Sequence, residues 1–264
     1  MPDSRTRLIT VALRAPSLPG AEAVCATYAE NFPEAGILTV DAELTTADTL
    51  ALRTPTTKFF VGLVPTALPR DELDDAVGAA WYWPESADML RPHRAQAIVS
   101  GTSSSGDSID LMLTLTRVVA AVAATANALG VYVAGAKLVH KVDDFVSEAG
   151  PASREQLPLY LWLRFQLAEA EDGSLTLYTW GLSQFELMEI EFAPSRLDPQ
   201  TLMDRAFNIA HYLLDHGAVL SDGHTIGTSA DERFRVRHAA SERTGHDKVY
   251  RIEVQTWDHK IPQA

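Results

Sequence analysis

Apolar positions recur along this chain at two spacings, and the places where one gives way to the other predict its elements. Residues 8–13 (LITVAL) read as a first strand, and Pro19 opens a helix to about Asn31, stopped by Pro33 and Gly36. Short strands follow over 37–40 and 58–64, the second ended by Pro65 and Pro69. A helix over 71–80 carries Asp71, Glu72, Asp74 and Asp75 in its first turns, where acids complement the helix dipole. Trp81, Tyr82, Trp83 and Pro84 break it as an aromatic knot, and a helical piece runs over 85–90. A strand over 95–99 and a Gly/Ser loop over 101–106 lead into a long apolar helix. That helix is expected to start near Asp107 and to stop at Gly130 as its C′ glycine, with a strand over 131–134 beyond.

Residues 147–158 mix Gly, Pro, Ser and charge and are the expected linker. Beyond it, strands over 159–167 and 175–180 flank Glu171-Asp172-Gly173-Ser174, a hairpin signal. Asp198 as N-cap and Pro199 at N1 open a helix that buries Leu202, Ala206, Ile209, Ala210 and Leu213, and Gly217 closes it. Three segments alternate with period two. Glu189 and Glu191 lie opposite Met188, Ile190 and Phe192; Arg233, Arg235 and Arg237 lie opposite Phe234 and Val236; Arg251 and Glu253 lie opposite Tyr250, Ile252 and Val254. If these strands are neighbours, their charged sides form a solvated ladder with each pair contributing ~0.2–1 kcal/mol. Interleaved strands and helices with frequent hairpins give an α+β fold, a largely antiparallel sheet with covering helices. The halves 1–146 and 158–264 each read loosely as strand–helix–strand–strand–helix–strand, which allows two ferredoxin-like halves that could also pack as one domain.

Composition narrows the function classes. A net charge of −13 over 264 residues argues against nucleic acid and against anionic membrane surfaces, and permits a basic protein partner. A single cysteine, Cys25, excludes an internal disulfide and fits a reducing, cytoplasmic compartment. The apolar run near the N-terminus is too short for a signal peptide. The apolar stretch 109–129 contains Asp110, Arg117 and Asn127, and reads as a buried core helix rather than a membrane span.

Candidate chemistry is sparse. The loop from Gly101 to Ser108 has phosphate-loop spacing, but Asp107 stands where a lysine must neutralise phosphate, so a plain connector is the reading. Gly181-Leu182-Ser183-Gln184-Phe185 lacks the second glycine of a nucleophile elbow. His211 and Asp215 share a helix face without a third ligand, so neither a metal nor any other cofactor is expected. Asp222-Gly223-His224-Thr225-Ile226-Gly227 reads as a tight turn, with Asp222 and His224 as a conceivable proton-transfer pair. Glu189 and Glu191 could serve as acid and base, although a solvated sheet face is preferred.

Several of these elements occur together in a recognisable order: Leu63-Val64-Pro65-Thr66-Ala67-Leu68-Pro69, then Trp83, Ala87, Leu90 and His93, then Pro158 with Leu161-Trp162. Thr179-Trp180-Gly181-Leu182, Phe185, Glu189-Ile190-Glu191 and the 222–227 turn follow. Over about 58–254 the chain thereby resembles the bacterial family catalogued as domain of unknown function 4261. Relative to that family, Gln96 stands where a second histidine after His93 is expected, and Glu186 stands where glycine is usual. The resemblance implies a fold and no activity.

The sequence therefore carries two readings of function. The first is a non-enzymatic protein-binding module, an adaptor or immunity-type protein for a basic partner, with Trp81 and Trp83 as aromatic anchors. The second is a small-molecule binder or enzyme with a pocket near Asp222 and His224. No catalytic residue is assigned, and Trp81, Trp83, His93, Glu189, Glu191, Asp222 and His224 are the candidate binding residues.

Overall fold

A computed structural model of the chain describes residues 6–103, 107–227 and 232–257. The fold is α+β, and the chain divides into two compact units, Met1–Trp162 and Leu163–Ala264.

In unit 1 the elements run β1 (Thr6–Leu13), α1 (Ala21–Asn31), β2 (Thr39–Val40), β3 (Thr49–Arg53), β4 (Thr57–Val64), α2 (Arg70–Ala79) and α3 (Ser86–Leu90). They continue as β5 (Ala95–Ser103), α4 (Ser108–Thr125), β6 (Ala128–Val133), β7 (Leu138–His140), α5 (Val142–Ala149) and α6 (Leu159–Trp162). The strands form one seven-stranded sheet in the order β2-β3-β4-β5-β1-β6-β7, antiparallel throughout. Helix α4 packs between α1 and α5 and lies against β1 and β5. Its apolar residues, from Ile109 through Ala123, are buried nearly all round, as the sequence requires of an amphipathicity-poor core helix. It is long and apolar enough to cross a membrane, and here it is the interior of a folded unit. A second apolar cluster joins Ala12 and Tyr132 of the sheet to Leu73 and Ala76 of α2 and to Trp83 and Leu90.

Three boundaries differ from the sequence reading, each for a packing reason. Helix α4 ends at Thr125, and Gly130 lies inside β6 opposite Ala12 instead of capping a helix. A Cβ at that position would sit 2.9 Å from Leu90 and 3.0 Å from the His140 carbonyl, so the glycine serves close packing. The expected linker is pinned to α4. Arg117 donates to the Ala152 carbonyl at 2.5 Å, Arg154 pairs with both Asp107 and Asp110, and Ala152 and Leu157 are buried. The expected single strand over 159–167 is a helical turn, α6, followed by a new strand. Burial of Leu159, Leu161 and Trp162 overrides the alternation, with the Trp162 indole donating to Thr116 Oγ1 at 2.9 Å.

Unit 2 contains β8 (Arg164–Glu169), β9 (Leu175–Trp180), β10 (Glu189–Phe192), α7 (Pro199–His216), β11 (Thr225–Ile226), β12 (Glu232–Ala239) and β13 (Val249–Trp257). Its six-stranded sheet is ordered β11-β12-β13-β10-β9-β8, antiparallel except for the parallel pair β10–β13. Helix α7 packs on β8, β9 and β10, and Asp198 caps it by accepting from Thr201 N–H at 2.9 Å.

Candidate functional site

The aromatic knot of unit 1 separates into an inside and an outside. Trp83 is 2% exposed within the cluster under α2 and α3, whereas Trp81 is 81% exposed. Between them Tyr82 donates its hydroxyl to the Val139 carbonyl at 2.8 Å, meets Trp81 edge-on at 5.9 Å and stacks on His140. The knot is thus bolted to β7, and Trp81 is what remains in solvent.

Two residues before Val139, Lys137 pairs with Asp75 of α2 at 3.2 Å. Asp71, Glu72, Asp75, Tyr132, Ala134 and Lys137 line a hollow of about 320 Å³ there. Leu73 and Ala76 of α2 point into the core, so Asp71, Glu72, Asp74 and Asp75 face outward by helical geometry. Tyr132 directs its hydroxyl at Glu72 at 3.5 Å; burial first, and then that carboxylate, push its phenol up to about 12.

His93 is interior and structural. Its Nε2 accepts from the Leu68 N–H at 2.9 Å, so its Nδ1 is the nitrogen that donates to the Leu90 carbonyl, at 2.6 Å. Gln96, three residues on, donates to the Thr66 carbonyl at 3.2 Å. Both side chains hold the loop between β4 and α2, so the residue standing in for the expected second histidine does the same backbone-pinning work as His93.

His140 is the other buried histidine. It stacks on Tyr82 at 5.9 Å and tilts against Phe145 at 5.7 Å, and its Nε2 has no hydrogen-bond partner among the described residues. Burial lowers its pKa to about 4, against a smaller opposing effect of a hydrogen bond to the Leu161 backbone. Sequence reading missed it because nothing in Val139-His140-Lys141 marks a fully enclosed ring.

The Gly/Ser loop divides. Residues 101–103 complete β5, residues 104–106 lie outside the described residues, and Asp107 caps α4 by accepting from the N–H groups of Ile109 and Asp110. Burial works to raise the Asp107 pKa, and the bonds from Asp110 N–H and Arg154 outweigh it, holding the carboxyl below its usual range.

In unit 2 the expected solvated face of β10 is corrected. Glu189 and Glu191 are each 2% exposed. Glu189 accepts from the backbone N–H groups of Gly181 (2.9 Å), Leu182 (3.2 Å) and Ser183 (3.0 Å) and from the Thr179 hydroxyl (2.8 Å). Three successive N–H groups converging on an anion make a nest, and the chain fills it with its own carboxylate. The sequence that superficially resembled a nucleophile elbow is therefore a carboxylate-filled turn. Glu186, at the exit of this turn, has φ 63° in the left-handed region, which accounts for glycine being usual there in the family it resembles.

Glu191 anchors the loop between β12 and β13. It accepts from the Ser241 hydroxyl at 2.5 Å and from the Glu242 N–H at 3.3 Å, with Arg251 at 3.7 Å. Ser241 Oγ in turn accepts from Arg243 N–H, Thr244 N–H and the Thr244 hydroxyl, so its lone pairs are engaged and it is no free nucleophile. His246 reaches Thr244 at 2.7 Å and packs on Trp180 at 5.0 Å. The charged ladder forms only in part: Arg235 stands opposite Glu253, but Arg237 stands directly opposite Arg251.

Asp222 and His224 are both exposed and serve different partners. Asp222 accepts from the His238 N–H at 2.9 Å, while His224 Nδ1 accepts from the Ser221 N–H at 3.2 Å. Neither lines either hollow described in the molecule, the α2 hollow or a second one at the α4–α5 junction. Gly223 has φ +84°, and a Cβ on Gly227 would fall 2.0 Å from the Glu232 carbonyl oxygen, so both glycines have backbone reasons to be there. His211 and Asp215 gain no third partner, and among the described residues no three His, Cys, Asp or Glu side chains converge in a metal-holding group. The candidate residues thus fall into separate places. Trp81, Asp222 and His224 are exposed, and Trp83, His93, Glu189 and Glu191 are interior.

An α+β chain whose C-terminal unit is held by buried carboxylates is what these observations define. Residues 178–253 match the family described as Domain of unknown function (DUF4261), a stretch that lies within unit 2 and contains both glutamates, the 222–227 turn and the β12 arginines. The resemblance over 58–177 lies outside that match. No curated protein and no solved structure matches the chain.

Proposed function

We infer that the protein is a non-enzymatic binding module for a basic protein segment, which docks on the α2–Trp81 surface of unit 1. The observation that carries this reading is Trp81, 81% exposed and next to Tyr82, which is fixed to Val139 of β7, two residues past the Lys137 that lines the acidic hollow. An exposed indole held by a bolted neighbour is a rigid anchor, and ordering it on binding costs little. Its face attracts Lys and Arg side chains by cation–π interaction, worth ~0.5–2 kcal/mol. The outward carboxylates of α2 add charge complementarity, and the net charge of −13 steers a basic partner toward the molecule. Affinity capture from the native host with the wild type and with Trp81→Ala, read by mass spectrometry, tests this. A basic protein retained by the wild type and lost by the variant supports the reading. Equal retention by both, or a retained set without basic proteins, sinks it.

A further inference from the structure

The arginine row on β12 runs against the charge of the rest of the molecule. Arg233, Arg235 and Arg237 alternate with the buried Phe234 and Val236, so period two brings their side chains to one face. In a chain with 35 acidic and 22 basic residues, an arginine has ample carboxylates to pair with. Arg237 has two, both loosely placed: Asp222 at 3.8 Å and Glu253 at 3.9 Å. Arg233 and Arg235 have none within ion-pair distance among the described residues. Arg237 also stands opposite Arg251 in the β12–β13 register, an arrangement that destabilises a sheet by itself. Glu242 of the loop between those strands, at 2.7 Å, and Glu191 of β10 neutralise Arg251, and side chains of that loop contact Arg251, Glu191 and Trp180. Two arginines of the row, Arg233 and Arg235, are thus left without a close carboxylate among the described residues of an acidic molecule.

We propose that this row is a docking strip for an acidic protein segment bound in an extended conformation. Neighbouring arginines at i and i+2 of a strand are about 6.8 Å apart, and carboxylates at alternate positions of an extended peptide have the same spacing. Guanidinium groups bind carboxylates through paired parallel hydrogen bonds, which favours such a ligand over a diffuse negative surface. Glu253, Asp222 and Glu242 border the strip, and these carboxylates oppose the dense charge of a polyphosphate chain more than a peptide with alternate acids. The strip lies in unit 2, and its argument is independent of the α2–Trp81 surface.

The test is fluorescence anisotropy with a labelled peptide of alternating Glu and Thr, its Gln–Thr counterpart and a single-stranded oligonucleotide. Each is titrated with the full-length wild type and with Arg233→Gln/Arg235→Gln. The Glu–Thr peptide is expected to bind the wild type in a salt-sensitive manner and to bind the double variant at least about tenfold more weakly, with Arg233→Lys/Arg235→Lys recovering part of the loss. Thermal melting of the double variant is expected at or above the wild-type temperature, which separates recognition from a structural role. Trp81→Ala is expected to leave this binding unchanged. Equal binding by wild type and double variant, no preference for Glu–Thr over Gln–Thr, or tighter binding of the oligonucleotide would overturn the proposal. So would concentration-dependent self-association that the double variant abolishes, because the occupant would then be a second copy of the chain.

Discussion

The two units keep their interiors together by different chemistry. Unit 1 is built around α4, whose buried residues are all apolar apart from Thr116, and a glycine in β6 lets the layers approach. Unit 2 has apolar residues beneath α7 but fixes two of its loops with carboxylates: Glu189 fills the 181–183 nest, and Glu191 holds 241–242. A third, Glu232, pairs with Arg205 of α7. The difference shows that a small sheet can use a buried charge as a fastener, provided that several donors meet it at once. It also sets up a test, because an apolar interior and a charge-fastened one fail under different perturbations.

Removing the fastener has the largest expected effect. Glu189→Ala leaves the buried N–H groups of Gly181 and Leu182 and the buried Thr179 hydroxyl without their acceptor, and should cost about 3–5 kcal/mol. Chemical denaturation is the measurement. Glu189→Gln, which keeps one acceptor oxygen, should fall between the alanine variant and the wild type. A loss under about 1 kcal/mol in Glu189→Ala would mean that water replaces the carboxylate readily, and the contrast between the units would collapse.

Acid should expose a polar weak point of unit 1. His140 is buried with a pKa lowered to about 4, against about 6.5 when unfolded. Between those values the unfolded chain binds the extra proton, so stability is fully present above about pH 6.5 and falls as pH drops toward 4. At about 1.4 kcal/mol per pH unit, the loss amounts to roughly 3 kcal/mol. Denaturation midpoints in stepped buffers, wild type beside His140→Phe, should show a slope in that window for the wild type and a shallower one for the variant. Identical slopes would place the acid sensitivity elsewhere.

The smallest effect concerns the exit of the nest turn. Glu186→Gly relieves a left-handed non-glycine residue but adds freedom to the unfolded chain, so the two contributions nearly cancel. Its melting temperature should match or slightly exceed that of the wild type, within about 1 kcal/mol. A larger loss would assign the Glu186 side chain a structural contact that matters more than its backbone.

Apolar periodicity carried most of the fold to the surface of the sequence. The α4 core, the capped α7 and the alternation of β12 and β13 are all legible because each depends on residues a few positions apart. Helix α5 was missed although Val142, Phe145, Val146 and Ala149 have helical spacing, because the Pro- and Gly-containing stretch beside it drew the boundary too early. The site was less legible. Period two correctly put Glu189 and Glu191 to one side of their strand, yet nothing local shows that the 181–183 turn and the 240–248 loop fold over that side. Trp81 and Trp83 are alike in type and nearly adjacent, and only the packing of α2 and α3 decides that one is core and the other surface. His140 becomes notable through Tyr82 and Phe145, which approach it from separate elements.

Strand β1 lies between β5 and β6, with register contacts from Thr6 to Thr102 and from Thr10 to Tyr132. On a ribosome it emerges before the other strands of its sheet and is among the last of them to gain both neighbours. At ~5–20 residues per second, the roughly 120 residues separating it from the end of β6 take on the order of ten seconds to synthesise. During that interval the apolar LITVAL strand lacks β6, and α4 emerges before α5 and β6, two of the elements that enclose it. The topology that gives unit 1 its interior thus leaves apolar surface open during synthesis and predicts slow folding, because the sheet closes only through distant contacts.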